Sequence, residues 1–465
     1  MKQKTNPAVS PQFNTGPIDF PVFSGRKWSV HFDEPDLTSD AGLAAVAASG
    51  AGDGLLASIA GAIGETRRRP DHGLAELVSQ RVFQILGGSY DADDCDHLRD
   101  DIVFRSAAGR GLDDGPLASQ PTMSRLENRV QRPDLMRMAR AIFGNYLDQF
   151  GDDPPPMICI DMDPSAHLVY GEQQLSLFNT HVGDHCLMPF YIFDGCTGKI
   201  MTAVVRPGKT PVAGEIIAIV KRLVAGIRER WPDTKIVFRA DGHHTKPEVL
   251  DWLDANEVDF ATGMPKNAAL ERLFLDEISA ARRDYQRRLE RAEWSKHDED
   301  TTVVRYAAAF YAAGTWSGEQ RVVARIIVGP KGVDVRYIVV SFHQAGAKYL
   351  YERVYCQRGN AELFIKECKL GLGSDRSSCN RAESNQFRLL LHVAAYAILH
   401  RFRETVLVDT RWERSTFEEI RLRLLKVAGR LEILKTRVKL HLSSALEEAV
   451  RGVWLASAEV GARSG

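Results

Sequence analysis

The run Gly151–Pro156, GDDPPP, divides this chain into two different periodicities. Three consecutive prolines offer no N–H to a helix or to a sheet ladder, so elements of either kind must end there. Upstream the spacing is helical. From Ser39 to about Leu86, in SDAGLAAVAASGAG, DGLLASIAGAIGE and GLAELVSQRVFQILGG, apolar residues recur at three and four. Ser39 or Asp40 supplies the N-cap. Arg132 to Phe150 is a further amphipathic helix, and the residues before Ser39, rich in Pro, Asp, Ser and Thr, read as an irregular arm.

Downstream the pattern changes to short strands. Met157–Asp163 (MICIDMD) is a buried strand ending in acids, Cys186–Phe193 a second and Lys199–Val205 a third. Helices are expected at Pro211–Trp231 and Lys246–Asn256. Between them Lys235–Ala240 forms a fourth strand that runs into Asp241, and Val258–Ala261 makes a short fifth. The order β-β-β-α-β-α-β matches a ribonuclease H-like fold, an α/β class in which helices flank a mixed sheet. That is an analogy of fold and leaves function open.

Residues 268–300 are charged and helical, and Thr301–Phe342 alternates in period two as a meander of about three strands. Asn385–His400 is apolar at helical length and is expected in the core. Arg401–Lys439 carries eleven Lys or Arg against six Asp or Glu, with LRLLKVAGRLEILKTRV as an amphipathic helix. At 465 residues two or three domains are the prior. The expected division is an arm at 1–38, a helical DNA-binding domain at 39–152 and a core in two parts, 157–265 and 346–405. A helical and β-rich insertion at 266–345 separates those parts, and a basic helical region at 406–465 follows.

Seven scattered cysteines without a C-x-x-C pair argue against a disulfide framework and fit reduced thiols. No apolar run approaches the roughly 20 residues that cross a bilayer. The first twenty residues lack the apolar centre of a signal peptide, so a cytoplasmic location is expected. A net charge of −1 gives no global support to a nucleic-acid partner, which local basic surface would have to hold.

Chemistry concentrates in Tyr355–Lys369, YCQRGNAELFIKECK. Tyr355, Arg358, Glu362 and Lys369 stand at offsets that fall within roughly 60° of one another on a helix. Alone, such a helix is most simply a solvated charged face. Three acids change that balance: Asp161 or Asp163 after the first strand, Asp241 after the fourth, and Glu362. First and fourth strands are neighbours in the expected sheet, and a helix across their ends brings the third carboxylate. Hard oxygen ligands suit Mg²⁺ or Mn²⁺, and two such ions roughly 3.5–4 Å apart support in-line displacement at phosphorus. Gly359 is an awkward residue for a helix interior, and the alternative start is Asn360 as N-cap, with Tyr355 and Arg358 in the approach.

The spacing Tyr, two residues, Arg, three residues, Glu, six residues, Lys resembles the signature of bacterial insertion-sequence DDE transposases. VFRADGHHTKPEVLDW, RLLLHVAAYAIL and FDGCTGKIMTAVVRPG are similar to one subgroup, and the resemblance covers about residues 25–405. It implies an enzyme that binds the terminal inverted repeats of its element on double-stranded DNA. Such an enzyme cuts with divalent metal and joins the freed 3′-hydroxyl to target DNA, as a homodimer in the nucleoid. By the same resemblance Asp241 and Glu362 are the second and third acids and metal ligands. Asp163, followed by Pro164 and Ser165, fits the first better than Asp161, which lies on the same face. Tyr355, Arg358 and Lys369 become phosphate contacts. A silent DNA-binding repressor of the same origin, or a general metal-dependent nuclease, are the alternatives.

Other motifs are weaker. Ser119–Val130 (SQPTMSRLENRV) would present Gln120, Ser124 and Arg125 to DNA as the second helix of a helix-turn-helix, although an ordinary helical hairpin is the simpler explanation. Gly208-Lys209-Thr210 lacks the earlier glycine of a phosphate-binding loop. His181, His185 and Cys186 lack a fourth zinc ligand. His243 and His244 fit either DNA contact or local polar structure.

Overall fold

A computed structural model describes residues 18–23, 26–31, 33–295 and 301–464, so residues 1–17 of the expected arm lie outside it. Eight strands form the central sheet, numbered here in chain order. They are β1 (Met157–Pro164), β2 (Phe190–Asp194), β3 (Ile200–Val204), β4 (Lys235–Ala240), β5 (Asp259–Met264), β6 (Val303–Tyr311), β7 (Gln320–Gly329) and β8 (Gly332–Val340). Their spatial order is β6-β7-β8-β5-β4-β1-β2-β3. β1, β4 and β5 run parallel, while β2, β3 and β8 pair antiparallel to their neighbours. The chain is therefore mixed α/β, with one large mixed sheet between helices.

β1 is buried from Ile158 to Asp163, which is why it reads as a continuous apolar run. Its alternate side chains serve different layers. Ile158, Ile160 and Met162 pack with Ile216, Val220 and Leu250 from the helices Ala213–Arg230 and Pro247–Ala255. By the period of two, Cys159, Asp161 and Asp163 face the other way. On that face Tyr191 and Phe193 of β2 meet the helix Ala382–Thr405, which is buried along nearly its whole length. The helices upstream of the proline run pack against this same long helix and share its core. The core therefore does not divide where the sequence breaks.

Four features differ from expectation, each for a local or long-range reason. The expected second strand is split, because Pro189 cannot donate to a ladder. Asp184–Leu187 instead joins a small sheet with His167–Leu168 and Leu177–Asn179. The meander β6–β8 does not stand apart, because β8 pairs with β5 from Ala261↔Val340 to Met264↔Tyr337 and extends the central sheet. The basic C-terminal region is not wholly helical. Gly429–Leu434 and Arg437–Leu442 form a hairpin, to which Leu37–Thr38 of the arm adds a third strand. The described part of the arm also holds the antiparallel pair Ile18–Phe23 and Arg26–Val30, so it is not irregular throughout. Among the described residues no helix is long and apolar enough to cross a membrane.

Candidate active site

The register of β1 and β4 sets the geometry. Arg239 pairs with Asp161 and Ala240 with Met162, so Asp163 and Asp241 each stand one step further, at neighbouring strand ends. Arg239 and Asp161 form a buried bidentate pair, Nε to Oδ1 at 2.6 Å and Nη2 to Oδ2 at 2.7 Å. Gly195 packs against them so closely that a Cβ there would lie 2.1 Å from both Arg239 Nη2 and Asp161 Oδ2. Burial pushes Asp161 up to about 6, against the pull of Arg239. The same arginine donates Nη1 to the Val354 carbonyl at 2.9 Å, which fixes the following helix over the strand ends.

That helix starts earlier than expected. The chain is helical from Ala347 through Gly371, with wide turns at Leu350–Tyr355 and Glu367–Gly371 and a tight turn at Cys356–Arg358. Changes of pitch of this kind gather at functional sites. Gly359 sits inside the helix in ordinary helical conformation, and a Cβ there would meet nothing within 4 Å. The helix therefore does not begin at Asn360.

Its signature residues are laid across the strand ends in sequence. Gly263 on β5 lets Tyr355 come close, since a Cβ there would lie 2.8 Å from the tyrosine hydroxyl oxygen. Arg358 donates to Asp163 Oδ2 at 3.0 Å and to Glu362 Oε1 at 3.3 Å. Lys369 donates to the Ala166 carbonyl at 2.9 Å and lies 3.4 Å from Ser165 Oγ, on the loop after β1. Phe364 packs on Phe193, and Ala361 and Ile365 enter the core, so the apolar side of the helix holds the charged side in place.

The outer acids differ from the inner pair. Burial pushes Asp163 up to about 7; Arg358 pulls it down, while Asp241 and Glu362 push it further up. Asp241 is also mostly buried, but hydrogen bonds with His244 and His243 outweigh burial and hold its carboxyl below the usual range. His244 Nδ1 lies 2.7 Å from Asp241 Oδ1, and His243 Nδ1 3.0 Å from Oδ2. Both histidines thus hold Asp241, His244 from within the core and His243 from an exposed position that lines both clefts. Glu362 remains largely exposed, its side chain at 65%.

Two clefts meet at Asp241 and His243. One, of 560 Å³, is lined by Tyr355, Arg358, Lys266, Arg325 and Arg336; the other, of 420 Å³, by Pro164, Phe178, Arg206 and Lys209. Arg125 lines neither. It is exposed on the helix Gln120–Arg129, in a separate depression with Arg67, His72 and Arg129.

The profile of the family described as transposase DDE domain group 1 matches residues 20–451. The chain belongs to the DDE transposase family. Among solved structures, the piggyBac transposase synaptic complex with hairpin DNA is similar over 80% of this chain and 76% of its own, at 10% identity and a TM-score of 0.40. That likeness is too distant to carry an argument about the site. No curated protein matches.

In this transposase, as described, no three His, Cys, Asp or Glu side chains among the described residues converge into a group that would hold a metal. Between two of the acids lies Arg358, whose guanidinium bridges Asp163 and Glu362. The donors themselves suit a hard cation: they are carboxylates, and Asp163, raised first by burial, is raised further by Asp241 and Glu362 nearby. Residue-by-residue reading of the sequence did not single out Arg239. The signal was present, because Arg239 precedes Asp241 by the same two places that separate Asp161 from Asp163.

Proposed function

We propose that this transposase cuts DNA at the ends of its own element and transfers the freed strand to target DNA, on a ribonuclease H-like core. The sheet order β3-β2-β1-β4-β5 supports that fold. The observation that carries the reading is the placement of Asp163 and Asp241 on adjacent strand ends beneath the helix of Glu362. Asp163, Asp241 and Glu362 would hold Mg²⁺ or Mn²⁺, in one or two ions. When bound, the metal supplies Lewis acidity toward phosphoryl oxygens and lowers the pKa of water.

The chain's own groups prepare that chemistry. His244 and His243 keep Asp241 ionised and oriented. Asp161, neutralised by Arg239, supports β1 and takes no part in ligation. Arg358 exchanges its two carboxylates for phosphate oxygens, which its planar fork suits, and Tyr355 and Lys369 contact the same strand. In the first step a phosphodiester P–O bond breaks as water oxygen bonds to phosphorus, leaving a 3′-hydroxyl. In the second that hydroxyl oxygen bonds to a target phosphorus, and the target's own 3′-oxygen leaves. Handling two ends together requires at least a homodimer. Arg125 contributes to holding double-stranded DNA away from the clefts, and the protein works in the bacterial cytoplasm on the nucleoid.

The test is a Mg²⁺-dependent cutting assay on DNA flanking the coding sequence. Loss of cutting in Asp241→Ala and Glu362→Gln is expected; unchanged cutting in either contradicts the mechanism. A second reading, a DNA-binding repressor that does not cut, draws on the Arg358 bridge across Asp163 and Glu362. A tight, metal-independent complex with intact strands would support it.

A further inference from the structure

The meander places a cation in the larger cleft that the signature helix does not account for. Arg325 on β7 pairs in register with Arg336 on β8, and both line the cleft that reaches Asp241. Arg336 Nε is held by Asp334 at 3.1 Å. Arg325 differs. Among the described residues no carboxylate forms an ion pair with it, and its Nε is buried without a hydrogen-bond partner. Its guanidinium lies over the Tyr351 ring, 5.3 Å from the centroid. Glu352, next along the helix, already accepts the Tyr306 hydroxyl at 2.7 Å.

A guanidinium laid on an aromatic ring keeps a defined plane, and its remaining N–H groups form a fork that fits a tetrahedral oxyanion. The cleft walls add Lys266 and Arg358, and beyond Asp241 the second cleft carries Lys209. Cationic groups on both sides of the acids favour an extended polyanion over a small one. We propose that Arg325 is a phosphate-binding residue of the β6–β8 meander, gripping the backbone of the DNA strand that lies between the meander and the signature helix. The inference rests on the proposal that DNA is the substrate, and it adds a binding residue outside the Tyr-Arg-Glu-Lys signature.

The test measures binding of a linear duplex taken from the flanking DNA across a salt titration. Losing one phosphate contact lowers the slope of log K against log salt by about 0.9. Arg325→Ala is expected to show that loss and roughly tenfold weaker binding at moderate salt. Arg325→Lys, which keeps the charge, is expected to restore the slope. Lys331→Ala, which removes the same charge at the exposed turn between β7 and β8, is expected to keep it. An Arg325→Ala slope equal to wild type, or an equal loss in Lys331→Ala, overturns the proposal. If Arg325→Ala fails to fold, Arg325→Met keeps an apolar stem over Tyr351 and carries the same measurement. Strand cutting by the wild-type protein is read separately. Binding with this charge signature but no cutting would remove the catalytic reading and leave the phosphate site standing.

Discussion

Two residues apart on β1, two aspartates meet opposite partners. At the inner step Asp161 meets Arg239 in a closed, bidentate pair that Gly195 seals from the side. At the outer step Asp163 meets Asp241, another acid, and the nearest cation comes from a helix more than a hundred residues on. In the inner pair each charge is answered by its partner. The outer acids, with Glu362 beside them, share one guanidinium, that of Arg358, and Asp241 leans on two histidines. Deep burial of a carboxylate is thus no guide to its role; what decides is whether its charge is already answered.

Breaking the inner pair should have the largest effect on stability. Arg239→Ala leaves Asp161 buried and alone, at a cost of about 3–5 kcal/mol, measurable by denaturant unfolding. Replacing both partners together, as Asp161→Leu with Arg239→Met, should recover most of that loss.

The outer pair should respond to metal. Adding Mn²⁺ to chelator-treated wild type is expected to raise Tm, by about 2–3 kcal/mol of stability at a hundredfold excess over Kd. The rise should vanish in Asp241→Asn. An equal rise in both would place the bound ion elsewhere.

His244→Ala should come next. It removes one of the two imidazoles that hold Asp241 and opens a buried space beside Phe190. A loss of about 1–3 kcal/mol is expected, with weaker metal binding. His243→Ala, at an exposed position, should cost less stability.

A further effect appears only in acid. His167 is fully buried between Tyr191 and Ser377, and burial, with Lys369 nearby, lowers it to about 3. The unfolded chain therefore binds a proton that the folded chain refuses. Stability should be complete above about 6.5 and fall as pH drops below it, by up to about 1.4 kcal/mol per pH unit for this one group. His167→Gln should flatten that part of the pH profile.

Much of this arrangement was legible before any coordinates. MICIDMD announces a buried strand ending in acids, KIVFRAD a second, and the Tyr355–Lys369 spacing keeps its four side chains over the strand ends despite the changes in helical pitch. What stayed hidden depends on pairing between distant segments. The choice between Asp161 and Asp163 turns on register with Arg239, visible only once β1 and β4 are known to be in step. LRLLKVAGRLEILKTRV satisfies a helical spacing over much of its length. Its second half pairs as a hairpin and meets Leu37–Thr38, nearly four hundred residues earlier. Pro189 was a local warning against one unbroken second strand.

The most direct measurement compares strand cutting by Asp163→Asn and Asp161→Asn, on flanking DNA with Mg²⁺, per mole of folded protein. Asp163→Asn is expected to lose about a hundred- to a thousandfold, as when a group acting directly on the transition state is removed, while Asp161→Asn keeps cutting in whatever fraction folds. Cutting that survives Asp163→Asn, or that is lost only in Asp161→Asn, would contradict the assignment of the outer pair as the reacting centre.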